Sequence, residues 1–262
     1  MLDEPYRWVE AIRNRREYLE DQLKSASPVM ACGYENGLLL LTTTPGQRKL
    51  FEIYNQVAFA AIGHPADIEK LRKAIIDIAH VEAFNFSARD VSLQRLVNFG
   101  LGPLMKTAFD EIFRSPYIAR VLVAELDPLE SQEAFYTIDA DGSFANSAGW
   151  AVVGGTAASA DAALARQRVR DVDSSDGPAD LPLEQALQRA IESWAVGRLT
   201  AEGGEEEEED IDADRIKACI QKMREQGQRV EAAVLDRSLP TKTKFRLLSA
   251  EELETALAPY SP

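Results

Sequence analysis

The sequence predicts an α+β fold, a four-layer αββα sandwich in which two antiparallel sheets stack between helices on both outer faces. Short apolar runs occur in consecutive pairs joined by turn residues, as in antiparallel hairpins. Long segments with helical periodicity lie between these groups of strands and do not alternate with single strands, which argues against a wound parallel sheet. The length of 262 residues suits a single domain, 1–262.

The first quarter of the chain is predicted to contain a helix and two strand pairs. The helix spans about 5–25, because Pro5 suits a first helical turn and apolar residues recur on one face of the following segment. Asn36-Gly37 is a strong hairpin signal, since both positions of such a turn favour positive φ. The strands expected here are Pro28–Tyr34, Leu38–Thr44, Leu50–Ile53 and Val57–Ile62.

The rest of the chain contains further groups of helices and strands. The second of these helices contains Gly100, Gly102 and Pro103, which predict a break. Ser249 and Glu252 have the spacing of a capping box at the start of the last helix. The predicted helices are His64–Phe84, Arg89–Arg114, Thr156–Arg168, Pro182–Leu199, Asp212–Gln226 and Ser249–Leu257. The predicted strands are Tyr117–Glu125, Glu133–Ile138, Ser143–Asn146, Trp150–Val153, Arg229–Asp236 and Lys244–Leu247.

Composition and charge argue against several classes of function. The formal net charge of −14 disfavours nucleic acid as a partner, because phosphate binding requires a basic surface. The apolar runs are strand-sized, so we expect no membrane span, no secretory signal and a cytoplasmic location. Cys32 and Cys219 are expected to be reduced, buried thiols, and two histidines are too few for a histidine-based metal site. Neither a metal nor a cofactor is expected.

Four segments of the chain carry a family likeness: VMACGYENGLLLLTTTPGQRKLFEIYNQVAFAAIG, PYIARVLVAEL, YTIDADGSFANSAGWAVVGG and EAAVLDRSLPTKTKFRLLSAEELETAL. In this order they resemble the core subunits of proteasomes, which belong to the N-terminal-nucleophile hydrolase superfamily. The likeness covers nearly the whole chain and is greatest to the α-type subunit of actinobacterial proteasomes. The chain departs from that pattern at 203–226, where an acidic run, Glu205–Asp210, and an extra helix are inserted.

The chain lacks most of the catalytic set that related β-type subunits carry. Those subunits use an N-terminal threonine as nucleophile, its own α-amine as base, and a nearby lysine and acid. The resemblance places the nucleophile position near Ser27, and the acid would fall near Thr43, which carries no charge. Only Lys49 remains, so no catalytic residue is expected, and Thr42–Thr44 are interpreted as strand residues. The alternative is a self-processing hydrolase with Ser27 as its nucleophile.

Lys49 has a different role in the α-type subunits that the chain resembles. There the matching lysine lines a pocket between neighbouring subunits and receives the C-terminal carboxylate of an activator, usually a hexameric ATPase. The resemblance implies Gly63 and His64 as the backbone wall of this pocket and places Asp21 on the helix that faces it. From the residues alone, a lysine at a strand start with its ammonium in solvent is the simpler interpretation.

The resemblance also implies an assembly. A homo-heptameric α ring would cap rings of β-type subunits that carry the threonine nucleophile, and unfolded protein substrates would enter through the α pore. The helix over 7–25 would pack on the neighbouring subunit, and the tail 1–6 would act as a gate in the pore. Two alternatives stay open: this helix packs on its own domain, or the chain is a binding protein that forms no ring. The gate residues are Leu2, Asp3, Glu4, Pro5 and Tyr6.

Overall fold

The computed structural model describes residues 4–87, 91–111, 113–126, 134–173, 181–203 and 211–260. Within these ranges the side chains of 4–6, 168–173 and 203 are not described. The described ranges contain two five-stranded sheets, and every strand pair in them is antiparallel. The predicted α+β class with two stacked antiparallel sheets is therefore confirmed.

Each sheet collects strands from distant parts of the chain. The first sheet contains β1 (Val29–Tyr34), β2 (Gly37–Thr44), β8 (Trp150–Val153), β9 (Arg229–Asp236) and β10 (Phe245–Leu247). The second contains β3 (Leu50–Tyr54), β4 (Val57–Gly63), β5 (Ala119–Glu125), β6 (Ala134–Ile138) and β7 (Phe144–Ser147). Their strand orders are β10-β9-β2-β1-β8 and β3-β4-β5-β6-β7.

Helices cover both outer faces of the stacked sheets. They are α1 (Glu4–Leu23), α2 (Pro65–Asn85), α3 (Leu93–Leu96), α4 (Gly102–Asp110), α5 (Ala157–Asp173), α6 (Leu183–Gly203), α7 (Ala213–Glu225) and α8 (Ala250–Leu257). A 3₁₀ turn, Ala258–Tyr260, follows α8. Helices α5 to α8 pack on the first sheet, and α2 to α4 pack on the second. The result is the expected order of layers, helix–sheet–sheet–helix.

Four consecutive leucines in β2 illustrate how the layers are held together. Leu38 and Leu40 lie in the core between the sheets, whereas Leu39 and Leu41 lie in the core under the α5–α8 layer. Successive side chains of a strand point to opposite faces, so a strand that is covered on both faces is apolar at every position. Full burial of each such leucine stabilises the fold by about 1.5–3 kcal/mol.

The break or kink predicted at Gly100 and Gly102 takes the form of an irregular turn inside a continuous helical segment. The backbone forms a π-helical turn at Val97–Leu101, between α3 and α4. A Cβ atom on Gly100 would lie 2.9 Å from Ile78 Cδ1, and one on Gly102 would lie 3.0 Å from Phe144 Cδ1. The two glycines therefore allow this segment to approach α2 and β7 closely, which a larger residue would prevent.

Helix α1 has two halves with different surroundings. In its second half, Leu19 and Leu23 are buried in the core between the sheets. Arg15 Nη2 also donates to the Ala108 carbonyl oxygen, 3.1 Å away, so this half packs on its own domain. In its first half, Trp8 is 49% exposed. The helix is thus anchored to its own domain at one end and presents apolar surface to solvent at the other.

The extra helix of the predicted insertion, α7, belongs to the outer layer. Its N-cap is Asp212, whose side chain accepts a hydrogen bond from Arg215 N at 2.8 Å. Ile216 and Ile220 recur on one helical face and are buried in the same core as α6. The acidic run at 205–210 lies outside the described residues.

The described ranges contain neither a membrane-spanning helix nor a metal-binding cluster. No helix there is long and apolar enough to cross a membrane. No group of three or more His, Cys, Asp or Glu side chains there is arranged to hold a metal ion. Cys32 and Cys219 are both buried, as predicted.

Candidate functional site

The candidate site lies at one edge of the sandwich, where several chain segments meet. Strand β2 ends at Thr44, β3 begins at Leu50, β4 ends at Gly63 and β9 begins at Arg229. The antiparallel pairing of β2 with β9 and of β3 with β4 brings these ends to the same edge. Lys49 directly precedes β3, so the fold places it among the four strand ends.

The Lys49 side chain is turned inward. Its Nζ donates to the Thr43 carbonyl oxygen at 2.9 Å and the side chain is partly buried, so the simple picture of an ammonium in solvent does not apply. Burial lowers the pKa of Lys49 to about 8. The negative charge of Glu231 opposes this decrease in pKa, and the positive charge of Arg198 adds to it. The ammonium therefore remains largely protonated at neutral pH.

Glu231 holds the backbone on which Lys49 sits. Its two carboxylate oxygens accept from Lys49 N at 3.0 Å and from Leu50 N at 3.2 Å. Burial raises the pKa of Glu231, and these two backbone donors act in the opposite direction. Glu231 was not among the site residues predicted from the sequence. Its signal is a single glutamate among the apolar residues of a strand, RVEAAVLD.

Gly63 and His64 lie at the end of β4, the strand that pairs with β3. Gly63 has φ of +125°, and a Cβ atom there would lie 2.1 Å from the Ile118 carbonyl oxygen, so the position requires glycine. His64 N donates to the same carbonyl oxygen at 2.7 Å. The His64 Nδ1 accepts from Ala66 N at 3.3 Å and caps the start of α2. The imidazole is exposed, and its structural role is that of an N-cap.

The remaining predicted site residues are Asp21 and the five gate residues. Asp21 is exposed on α1 and pairs with Lys24 at 2.8 Å. No hydrogen bond joins Asp21 to Lys49 in the part of the chain that the structure describes. Its place in the pocket stays a prediction. Of the five gate residues, Leu2 and Asp3 lie outside the described residues, and Glu4, Pro5 and Tyr6 open α1 with undescribed side chains.

Ser27, the position that matches a nucleophile, is enclosed. Its Oγ accepts from the Trp194 indole nitrogen at 2.9 Å and lies 2.6 Å from Thr43 Oγ1. Thr43 Oγ1 donates in turn to Gln228 Oε1 at 3.4 Å. Thr42 Oγ1 donates to the Pro28 carbonyl oxygen at 2.9 Å. These threonines are therefore buried strand residues with local hydrogen-bonding roles, as predicted.

Comparison with known proteins identifies the family of the chain. The proteasome subunit family model matches residues 29–194, which is more than half of the chain. A proteasome subunit alpha from Streptosporangium roseum is 29% identical over 252 residues, covering 94% of this chain and 83% of that protein. One from Nocardioides sp. is 28% identical over 255 residues, covering 96% and 87%, respectively. The chain therefore belongs to the proteasome subunit family, in which it is an α-type subunit.

Proposed function

We propose that this chain is the non-catalytic gating subunit of a cytoplasmic proteasome core. Its homo-heptameric rings cap rings of β-type subunits, which carry the threonine nucleophile. Unfolded proteins enter through the axial pore of the α ring, and the C-termini of a hexameric ATPase dock at Lys49 to open it. The observation that supports this proposal most strongly is a combination of two features. Lys49 is partly buried with its ammonium on the Thr43 carbonyl oxygen, and Ser27 is enclosed with its hydroxyl hydrogen-bonded to Trp194 and Thr43.

The environment of Ser27 supports a non-catalytic role. A nucleophile of this superfamily uses its own free α-amine as base, so it must be the first residue of the mature chain. Here Ser27 is preceded by α1, and Leu23 of that helix is fully buried. The carbonyl oxygens of Leu23 and Lys24 lie against Gly155, where a Cβ would come within 2.7 Å of either. The packing of this segment gives no support to self-processing at Ser27.

The hydrogen bonding of Lys49 supports carboxylate docking. An ammonium group has three donors, and the Thr43 carbonyl oxygen accepts from one of them. Glu231 uses both carboxylate oxygens on backbone N–H groups, so it supplies negative charge nearby without a direct bond to Nζ. An incoming carboxylate would therefore meet a charged donor with spare capacity in a partly desolvated position. Gly63 and His64 provide the adjoining backbone surface.

The exposed aromatic residues support assembly with a second ring. Helix α2 begins beside the Lys49 edge and extends for 21 residues, or about 30 Å, towards the opposite end of the domain. Phe84, near its far end, is 90% exposed, and Phe86 is 60% exposed. Large apolar side chains grouped on a surface mark an interaction site. We assign the β-type ring to this end and the activator to the Lys49 end.

Docking is expected to weaken as the pH rises through 8. The bound carboxylate requires the ammonium form, and the pKa of Lys49 is about 8, so protonation falls from mostly complete at pH 7 to minor at pH 9. The affinity for the C-terminal heptapeptide of a hexameric ATPase activator should fall about tenfold between these pH values. Fluorescence anisotropy measures it, with the amidated peptide as control. An affinity that stays constant between pH 7 and pH 9 for the peptide with a free C-terminal carboxylate would contradict docking at Lys49.

Removal of residues 1–6 tests the gate. A core particle assembled with the truncated chain should hydrolyse a fluorogenic tetrapeptide without activator at least about tenfold faster than the parent, since a closed gate leaves an open state populated at roughly 0.1–10%. Deletion of Ser261-Pro262 at the other end is the control and should leave the rate unchanged. An unchanged hydrolysis rate after deletion of residues 1–6 would contradict the proposal that these residues act as a gate.

A further inference from the structure

A directed chain of hydrogen bonds crosses the interior beside Lys49. The Trp194 indole N–H donates to Ser27 Oγ at 2.9 Å, the Ser27 and Thr43 hydroxyl oxygens are 2.6 Å apart, and Thr43 Oγ1 donates to Gln228 Oε1 at 3.4 Å. An indole N–H only donates and an amide oxygen only accepts. Both hydroxyl protons must therefore point from Trp194 towards Gln228, and each hydroxyl both accepts and donates.

This series of hydrogen bonds joins four separate parts of the fold. Trp194 lies in α6 and Ser27 lies in the linker between α1 and β1. Thr43 lies at the end of β2, and Gln228 directly precedes β9. Ser27, Thr43 and Trp194 are all buried. Hydrogen bonds in such a setting polarise one another, and loss of one member leaves its neighbours unsatisfied. The relative positions of these four elements are therefore strongly coupled.

Thr43 connects this chain to the candidate docking site. Its carbonyl oxygen accepts from Lys49 Nζ at 2.9 Å, while its hydroxyl contacts Ser27. Ser27 lies four residues beyond Leu23, the last residue of α1. Arg198, one helical turn after Trp194, donates to the Ser25 carbonyl oxygen at 3.4 Å. Helix α6 thus forms hydrogen bonds with the linker at two residues, Ser25 and Ser27.

We infer that Ser27 and Trp194 are positioning residues that couple occupancy of the Lys49 site to the position of α1. This inference rests on the proposed docking of a carboxylate at Lys49. A carboxylate bound to one of the spare ammonium donors draws the ammonium towards itself and weakens its bond to the Thr43 carbonyl oxygen, because a charged acceptor forms the stronger bond. The end of β2 then shifts, the hydroxyl bond to Ser27 carries the shift to the linker, and α1 moves together with the gate at its other end.

Two variants interrupt the chain without altering Lys49 or its acceptor. Ser27→Ala removes the central hydroxyl, and Trp194→Phe removes the donor while retaining an aromatic ring. In the assembled core particle, the maximal stimulation of tetrapeptide hydrolysis by the activator heptapeptide should fall about 2- to 30-fold. The Kd of the peptide should change by no more than about twofold, since its contacts are retained. Ser159→Ala is the control, because this buried hydroxyl donates to the Gly197 carbonyl oxygen, away from the linker.

The outcomes separate the coupling from the docking. Loss of peptide binding in Lys49→Ala, together with full maximal stimulation in both Ser27→Ala and Trp194→Phe, would overturn the coupling and leave the docking intact. Unchanged binding in Lys49→Ala would overturn both. In particles that also lack residues 1–6, the two variants should hydrolyse the tetrapeptide at the rate of the truncated particle that carries neither substitution. A defect that persists there would overturn the coupling, because it would lie in assembly and not in the gate.

Discussion

Replacement of Lys49 by alanine is expected to abolish most activator-stimulated degradation while the core particle still assembles. The substitution removes the ammonium that would bind the C-terminal carboxylate of the activator. A hydrogen bond to a charged group contributes about 1.5–3 kcal/mol, which corresponds to a loss of affinity of about 10- to 150-fold. The measurements are the Kd of the activator heptapeptide and the rate at which the particle degrades an unfolded protein at the concentration of hexameric ATPase that half-saturates the parent.

Lys70 provides the matched control for this experiment. It lies on α2, close to the same edge, and its ammonium pairs with Asp67 at 2.9 Å on the protein surface. Lys70→Ala removes one positive charge from the same region and should change neither measurement by more than about twofold, as is usual for a surface substitution. An unchanged Kd of the heptapeptide in Lys49→Ala, with degradation equal to that of the parent at half-saturating activator, would show that the docking proposal is incorrect.

Replacement of Glu231 by alanine is expected to destabilise the fold and to weaken docking at the same time. Two backbone N–H groups, of Lys49 and Leu50, lose their acceptor, and each unsatisfied group costs about 1–3 kcal/mol. Burial raises the pKa of Glu231, so removal of this charge recovers part of that cost. The free energy of unfolding should therefore fall by about 2–4 kcal/mol, which denaturant titration measures.

The effect on docking follows from the charge of Glu231. Its negative charge supports the ammonium form of Lys49, so its loss should lower the pKa of Lys49 further and shift the pH profile of peptide binding to lower pH. Glu231→Gln should lose less stability, because the amide oxygen still accepts one hydrogen bond. Glu225→Ala, at an exposed helix end, is the control and should change stability by no more than about 0.5 kcal/mol. Wild-type stability in Glu231→Ala would contradict the role of Glu231 as the acceptor that holds the backbone N–H groups of Lys49 and Leu50.

Local sequence signals predicted the elements of the fold well. Turn residues and strand-sized apolar runs identified the hairpin at Asn36-Gly37, and the helix break at Gly100 and Gly102 follows from residues that disfavour a regular helix. The run of four leucines lies in the predicted strand Leu38–Thr44, and the structure shows that this strand is buried on both faces. These signals act over a few residues and depend little on the rest of the chain.

The partners of the site residues were harder to predict because they are distant in sequence. Glu231 and Lys49 are 182 residues apart, and Trp194 and Ser27 are 167 apart. Such contacts depend on the order of strands in the sheets, which no local pattern specifies. Helical periodicity likewise predicted that one face of α1 would be apolar, but it does not specify what covers that face. The structure places Leu19 against its own core and leaves Trp8 exposed.

The most direct test of the account is native mass spectrometry of the particle formed by this chain and its β-type partner, with collisional release of single subunits. The account predicts a released α chain of 29.0 kDa, allowing for loss of Met1, from a particle whose α stoichiometry is heptameric in each ring. That result would show that α1 is retained in the assembled ring and that Ser27 never becomes a terminus. Two results would contradict the account. One is a released chain that lacks residues 1–26, and the other is a chain that remains monomeric when it is mixed with its β-type partner.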